Sequence, residues 1–319
     1  MFSKRIGLTL VILFVLCYST TLVGASQDNI TTTIDENIEI LNQVPVTEKI
    51  NVESDPILKT SHSLNGGSFE DIQNIIDDAE SGDTIILNGK FVAKDETSTI
   101  SINKKLNITS TSGAILDGDN LTRIFSLKNE SQYSSISNLI FVNGKYTIGS
   151  AVYVTSKHVL VDNCTFKNNH GTYNGGGAFA TPLDTQASED LTIKNCIFTG
   201  NWAPTNSGAL ACFSINFKII NTLFENNYAT NNEGRKGYAG ALEAGMKGSY
   251  GLIYKCTFRN NFAKSDNTTE PSYGGAALLR EGSVFENCIF INNTAHKGGA
   301  ITVISNGTIK NSTFIEIGC

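Results

Sequence analysis

Along most of this chain, apolar residues stand two apart in short runs, and Asn or Gly separates the runs. Leu191-Thr192-Ile193 and Phe217-Lys218-Ile219 show the pattern. A period of two places alternate side chains on one face, so these runs predict strands with one buried side. None is long enough for a helix.

One phrase keeps returning. It reads Asn163-Cys164-Thr165-Phe166, then Asn195-Cys196-Ile197-Phe198, Asn221-Thr222-Leu223-Phe224, Lys255-Cys256-Thr257-Phe258, Asn287-Cys288-Ile289-Phe290 and Asn311-Ser312-Thr313-Phe314, with Phe141 closing a degenerate earlier copy. The Phe-to-Phe intervals are 25, 32, 26, 34, 32 and 24 residues. A small-residue motif alternates with it, as in Gly176-Gly177-Ala178-Phe179 and Gly298-Gly299-Ala300-Ile301. Self-similarity at this period predicts a solenoid. Short strands with Gly or Asn corners predict an all-β, right-handed parallel β-helix of about eight coils. Stacking would place Phe141, Phe166, Phe198, Phe224, Phe258, Phe290 and Phe314 in an internal ladder. Asn163, Asn195, Asn221, Asn287 and Asn311 would form an axial ladder at one corner, with a second row at Asn169, Asn201, Asn227, Asn261 and Asn293.

The N-terminal third differs. Residues 1–25 read as a secretory signal: Lys4 and Arg5, an apolar Ile6–Cys17, and Val23-Gly24-Ala25 before Ser26. Residues 26–61 are polar and aperiodic, the composition of a flexible leader. Residues 62–319 are expected to form the β-helix, with the repeats at 136–319 and an incomplete last coil. Ser68, with Asp71 three residues on, signals a helix over about 69–80 whose apolar face is Phe69, Ile72, Ile75, Ile76 and Ala79 and which caps the first coil.

Polar stretches at Thr181–Asp190, Thr230–Tyr238 and Ser265–Tyr273 lengthen individual coils and are expected as loops on one side of the solenoid. They supply the binding candidates Asp184, Glu189, Asp190 and Glu233, with the aromatics Trp202 and Tyr273 in or near them. Aromatic rings suit sugar or protein contact. A net charge of −6 with no basic block argues against nucleic acid. No catalytic constellation is evident: a glycosidase needs two carboxylates across one cleft, and none is spaced for it. No Cys-x-x-Cys or Cys/His cluster suggests a metal, and no cofactor is implied. Cys164, Cys196, Cys256 and Cys288 share one slot with Thr222 and Ser312. Small buried residues explain the slot better than Cys164–Cys196 and Cys256–Cys288 disulfides. Among nine Asn-x-Ser/Thr triplets, Asn267 is the leading glycan acceptor because it falls in a projected loop.

The motifs carry a resemblance. Phe166-Lys167-Asn168-Asn169 with Gly176-Gly177-Ala178-Phe179, and Phe290-Ile291-Asn292-Asn293 with Gly298-Gly299-Ala300-Ile301, resemble the repeat of chlamydial-type polymorphic outer-membrane proteins. They also resemble adhesin-like surface proteins of methanogens, in the wider pectin-lyase-like fold. The resemblance covers roughly 136–319. It implies a secreted or cell-surface β-helix, non-catalytic, whose loops bind extracellular glycan or protein. The alternatives are a polysaccharide lyase or glycoside hydrolase, and a structural filament unit self-associating end to end. The outer-membrane family ends in a β-barrel translocator that these 319 residues do not contain, so a truncated or short member is expected.

Overall fold

The computed structural model describes residues 59–173, 175–183, 187–231, 237–265 and 271–319. The expected signal at 1–25, most of the leader, Asp184, Glu233 and Asn267 lie outside the described residues.

Every strand pairing among the described residues is parallel, and equivalent residues of successive coils face each other in register, as in Phe166↔Phe198 and Phe198↔Phe224. This is a parallel β-helix. Each repeat coil passes through four faces in chain order. In one coil the first face is Leu160–Asp162, the second Thr165–Lys167, the short third His170–Gly171 and the fourth Phe179–Ala180. The fourth face stacks eight strands, from Ile100–Ile102 to Ile301–Val303. The first two faces belong to one eighteen-stranded sheet.

The corner between first and second faces is where the phrase's Asn stands. Asn163, Asn195, Asn221, Asn287 and Asn311 all have positive φ, and so does Lys255, at 54°. Asn tolerates this left-handed conformation better than other non-Gly residues. Most of these corner residues are exposed, and their side-chain bonds are interrupted. Asn163 donates to Asn138 and Asn221 to Asn195, but Asn195 turns to Asp162. Backbone geometry, rather than an axial amide chain, is what this row supplies.

The continuous amide ladder is the second row. Asn169, Asn201, Asn227, Asn261 and Asn293 are fully buried. In each of the first four, the backbone N–H and the side-chain Nδ2 both donate to Oδ1 of the Asn in the next coil, at 2.9–3.0 Å. The same Nδ2 donates to a Phe carbonyl of the preceding coil, as Asn201 does to Phe166. A corner that would strand polar backbone inside the solenoid is thereby satisfied.

The ladder phenylalanines from Phe141 to Phe314 stack with centroids 4.5–5.0 Å apart and planes within 10°; Phe141 to Phe290 are buried inside, whereas Phe314, with no described coil stacked beyond it, is 44% exposed. Phe125, Phe179 and Phe285 meet them edge-on. Cys164, Cys196, Cys256 and Cys288 are free thiols buried in the same core. Burial pushes the Cys164 and Cys256 thiols well up from the ordinary value.

The second Gly of each small-residue motif marks a close backbone approach. A Cβ on Gly240 would lie 2.0 Å from the carbonyl oxygen of Gly275 in the next coil. Only hydrogen fits there.

The capping helix spans Phe69–Asp78, with a reciprocal capping box between Ser68 and Asp71. It buries Phe69, Ile72 and Ile76 over the first coil. A strand at Ser61–Ser68 precedes it and pairs with Thr84–Val92. The polar leader therefore gives way to structure one residue earlier than expected, in a segment whose Gly66-Gly67 disguises it. No helix among the described residues is long and apolar enough to cross a membrane.

Candidate functional site: an outer aromatic strip and a neighbouring groove

Position four after each ladder Phe faces outward on the short third face. It holds His170, Trp202, Tyr228 and Phe262 in successive coils, joined by in-register pairing. Ala203, Ala229 and Ala263 follow and point inward. Period-two alternation thus sends the large ring out and the methyl in.

The rings stack in a strip. Centroids lie 3.7 Å apart for His170–Trp202, 5.9 Å for Trp202–Tyr228 and 5.1 Å for Tyr228–Phe262. The last three are parallel within 3°. The first three are half-buried, and Phe262 is 38% exposed. Burial, with Lys145 nearby, lowers the His170 pKa, so its imidazole stays neutral across a wider pH range. Burial raises the Tyr228 phenol. At its Phe262 end the strip opens into a cavity of about 550 Å³, bordered by Asn260, Lys264, Asn292, Thr294 and His296. Asn292 donates to Asn260 across 3.0 Å, and His296 Nδ1 lies 2.9 Å from Ser272 Oγ. Apolar ring surface bordered by amides, imidazole and phenol can stack against a flat, CH-rich ligand and hydrogen-bond its rim.

A second row of aromatics runs beside the inserted loops. Tyr238 and Tyr273 stack at 5.5 Å, and Lys297 lies 5.7 Å from the Tyr273 centroid.

The three insertions do not leave the coil at one corner. Thr230–Tyr238 and Ser265–Tyr273 connect the third face to the fourth, whereas Thr181–Asp190 leaves the fourth face for the first. Glu189 is paired with Lys157 at 3.0 Å, and Asp190 with His158 at 3.0 Å. These two carboxylates belong to a different corner from Trp202 and Tyr273, and Asp184 and Glu233 lie outside the described residues. Loop order relative to the Gly-Gly-Ala motif carried that distinction in the sequence.

Between these corners, the outer side of the fourth face forms a groove of about 370 Å³. Its row reads Tyr153, Ala180, Ala211, Glu243 along the stack. At one end Arg123 donates to the carbonyls of Ile148 and Gly149 and lies 4.0 and 4.7 Å from the Tyr146 and Tyr153 ring centroids. At the other end Glu243 is paired with Arg280. His170, Phe262, Glu243 and Arg280 were not singled out from the sequence. Their signal was positional: each sits at a fixed offset from a repeat motif, but the residue type changes from coil to coil.

Among the described residues, no group of three or more His, Cys, Asp or Glu could hold a metal ion.

Comparison with known proteins agrees with the repeat. Residues 287–303 match the Chlamydia polymorphic membrane protein repeat. The segment runs from Asn287-Cys288-Ile289-Phe290 to Gly298-Gly299-Ala300-Ile301 and beyond, one complete passage from the second face to the fourth. No curated protein matches the chain. The chain is thus a parallel β-helix carrying a segment similar to that membrane-protein repeat.

Proposed function

We propose that this protein is a surface-displayed, adhesin-like module that binds extracellular glycan, without cleaving it, through the strip His170–Trp202–Tyr228–Phe262. The observation that carries the reading is the strip itself. Four rings in register line the outer side of a rigid scaffold, a contiguous aromatic surface of the kind that marks an interaction site. Coil spacing of about 4.8 Å gives the strip a length that suits several sugar rings of an extended chain. Similarity to a repeat of polymorphic membrane proteins supports display at a surface. Two of the three insertions leave the chain directly after the strip strands Tyr228–Asn231 and Phe262–Ser265, which supports loop variation as the means of tuning what is bound.

The test is retention of the folded protein on a panel of immobilised polysaccharides, with released sugars assayed in the same samples. Retention without product is expected, and Trp202→Ala should weaken it at least about tenfold while leaving the circular dichroism spectrum unchanged. Unchanged retention in that variant would remove the strip from the site, and released product would replace binding with catalysis.

A further inference from the structure

The groove on the fourth face differs in chemistry from the aromatic strip. A second apolar cluster, Ala180, Ala211 and Phe213 with Ile148, Tyr153 and Met246 packed against it, lies apart from the main core. In-register neighbours explain it. Phe179 and Leu210 point into the solenoid, so Ala180 and Ala211 point out. Tyr153 precedes these two alanines along the row and Glu243 follows them, so the floor drops between two large side chains. Leu183, 68% exposed, stands at the rim. A volume of about 370 Å³ and a mostly apolar lining with one charged pair match the anatomy of a small-molecule pocket.

The charged pair decides what fits. Glu243 is 3% exposed. Its Oε1 accepts from both Nε and Nη2 of Arg280, at 2.7 and 2.6 Å, and Ser207 Oγ donates to Oε2 at 3.3 Å. The carboxylate is therefore occupied. The guanidinium has five N–H donors in a fixed fork. Nη1 of Arg280 has no hydrogen-bond partner among the described residues, and its side chain is 37% exposed while lining the groove. The chemistry left open at that end is donor, not acceptor. An anion is favoured and a cation is not.

We propose that this groove binds a carboxylate attached to a compact apolar body. The anion meets Arg280, and the body packs against the accessible apolar surface of Ile148, Leu183 and Met246, above a floor closed by Ala180, Ala211 and Phe213. A sugar would fit poorly, since its hydroxyls would lose water over alanine and phenylalanine without finding partners. The site is thus independent of the glycan-binding strip. Two sources share the required chemistry: a free small aromatic acid, and the C-terminal carboxylate of a peptide ending in an apolar residue.

The experiment is calorimetric titration of the folded protein with 3-phenylpropionate, its uncharged amide, the tripeptide Gly-Gly-Phe and that tripeptide's C-terminal amide. Saturable binding of at least one acid is expected, with the matching amide weaker by about tenfold or more, since one charge-assisted contact is lost. Whichever acid binds more tightly identifies the source. Ala211→Leu fills the floor and leaves the Glu243–Arg280 pair intact. It should abolish acid binding and, because Ala211 is 4% exposed, lower the unfolding temperature by a few degrees, while polysaccharide retention by the folded variant stays as in the parent protein. Equal binding of acid and amide, undiminished binding by Ala211→Leu, or no saturable binding of either acid would each overturn the proposal.

Discussion

Asn201 donates from Nδ2 to Oδ1 of Asn227 across 2.9 Å, and both residues are fully buried. The same Oδ1 accepts the backbone N–H of Asn201 at 3.0 Å, and Nδ2 of Asn227 donates to the Phe198 carbonyl at 2.9 Å. Replacing Asn227 with Ala would take the side-chain partner from the buried Asn201 N–H and Phe198 carbonyl, and one of two partners from Asn201 Nδ2 and Asn261 Oδ1. Each unsatisfied group costs about 1–3 kcal/mol. Asn227→Ala is therefore expected to lower stability by roughly 3–5 kcal/mol, even though it removes little apolar surface. Urea unfolding checks it; a loss below about 1 kcal/mol would mean the ladder is decorative.

Phe224 stacks between Phe198 and Phe258 at 5.0 and 4.7 Å. Truncating a buried Phe to Ala typically costs about 3–5 kcal/mol, because the transfer term and the cavity term add. Phe224→Ala should fall in that range. Phe224→Leu should cost clearly less, because it refills much of the volume. The comparison separates packing from any special value of ring stacking: near-equal losses in the two variants would point to stacking.

Lys255 occupies the one phrase position where the corner is not Asn, at φ 54°. A general L-residue pays about 1–2 kcal/mol in this conformation, and Asn pays less. Lys255 Nζ lies 5.2 Å from the Tyr254 ring centroid, a contact that exposure limits to about 0.5–1 kcal/mol. The backbone term is the larger of the two. Lys255→Asn should therefore stabilise slightly, raising Tm by roughly 1–2 °C. A decrease would mean that the cation–ring contact outweighs the strain.

Asp83 secures the first strand. It accepts from the Thr60 N–H at 2.8 Å, the Glu80 N–H at 3.0 Å and His62 Nε2 at 3.0 Å. Its carboxyl is held below the ordinary value, first by the His62 bond and then by the two backbone N–H groups. The folded pKa lies under the unfolded one of about 3.9, so this contribution is complete above that pH and disappears as pH falls through the folded value. Hydrogen exchange in Ser61–Ser68 should rise selectively below about pH 4 relative to the repeat coils. Asp83→Asn should show the faster exchange already at pH 7. Exchange that loosens equally in all coils would locate the acid sensitivity elsewhere.

Much of the architecture was legible because one interaction repeats. The ladder Phe, the buried Asn row and the Gly-Gly-Ala motif each recur with the same kind of partner above and below, so a single coil's chemistry predicts its neighbours. The strand at Ser61–Ser68 was not legible, since it has one large apolar residue, Leu64, and a Gly pair, and its pairing depends on residues more than twenty positions away. The aromatic strip was half legible. Trp202 stood out by type, but His170, Tyr228 and Phe262 joined it only through register. The groove was invisible for the opposite reason: alanines draw no notice until the structure shows which of them face outward.

The intervals between ladder phenylalanines vary from 24 to 34 residues, yet the rings they place are always 4.5–5.0 Å apart. Chain length is therefore decoupled from rise. An insertion between the third and fourth faces, or after the fourth, changes what the outside presents without altering the step of the core. In evolutionary terms the solenoid is a ruler with interchangeable attachments: selection can lengthen, shorten or replace a loop in one coil while the graduations of every other coil stay where they were.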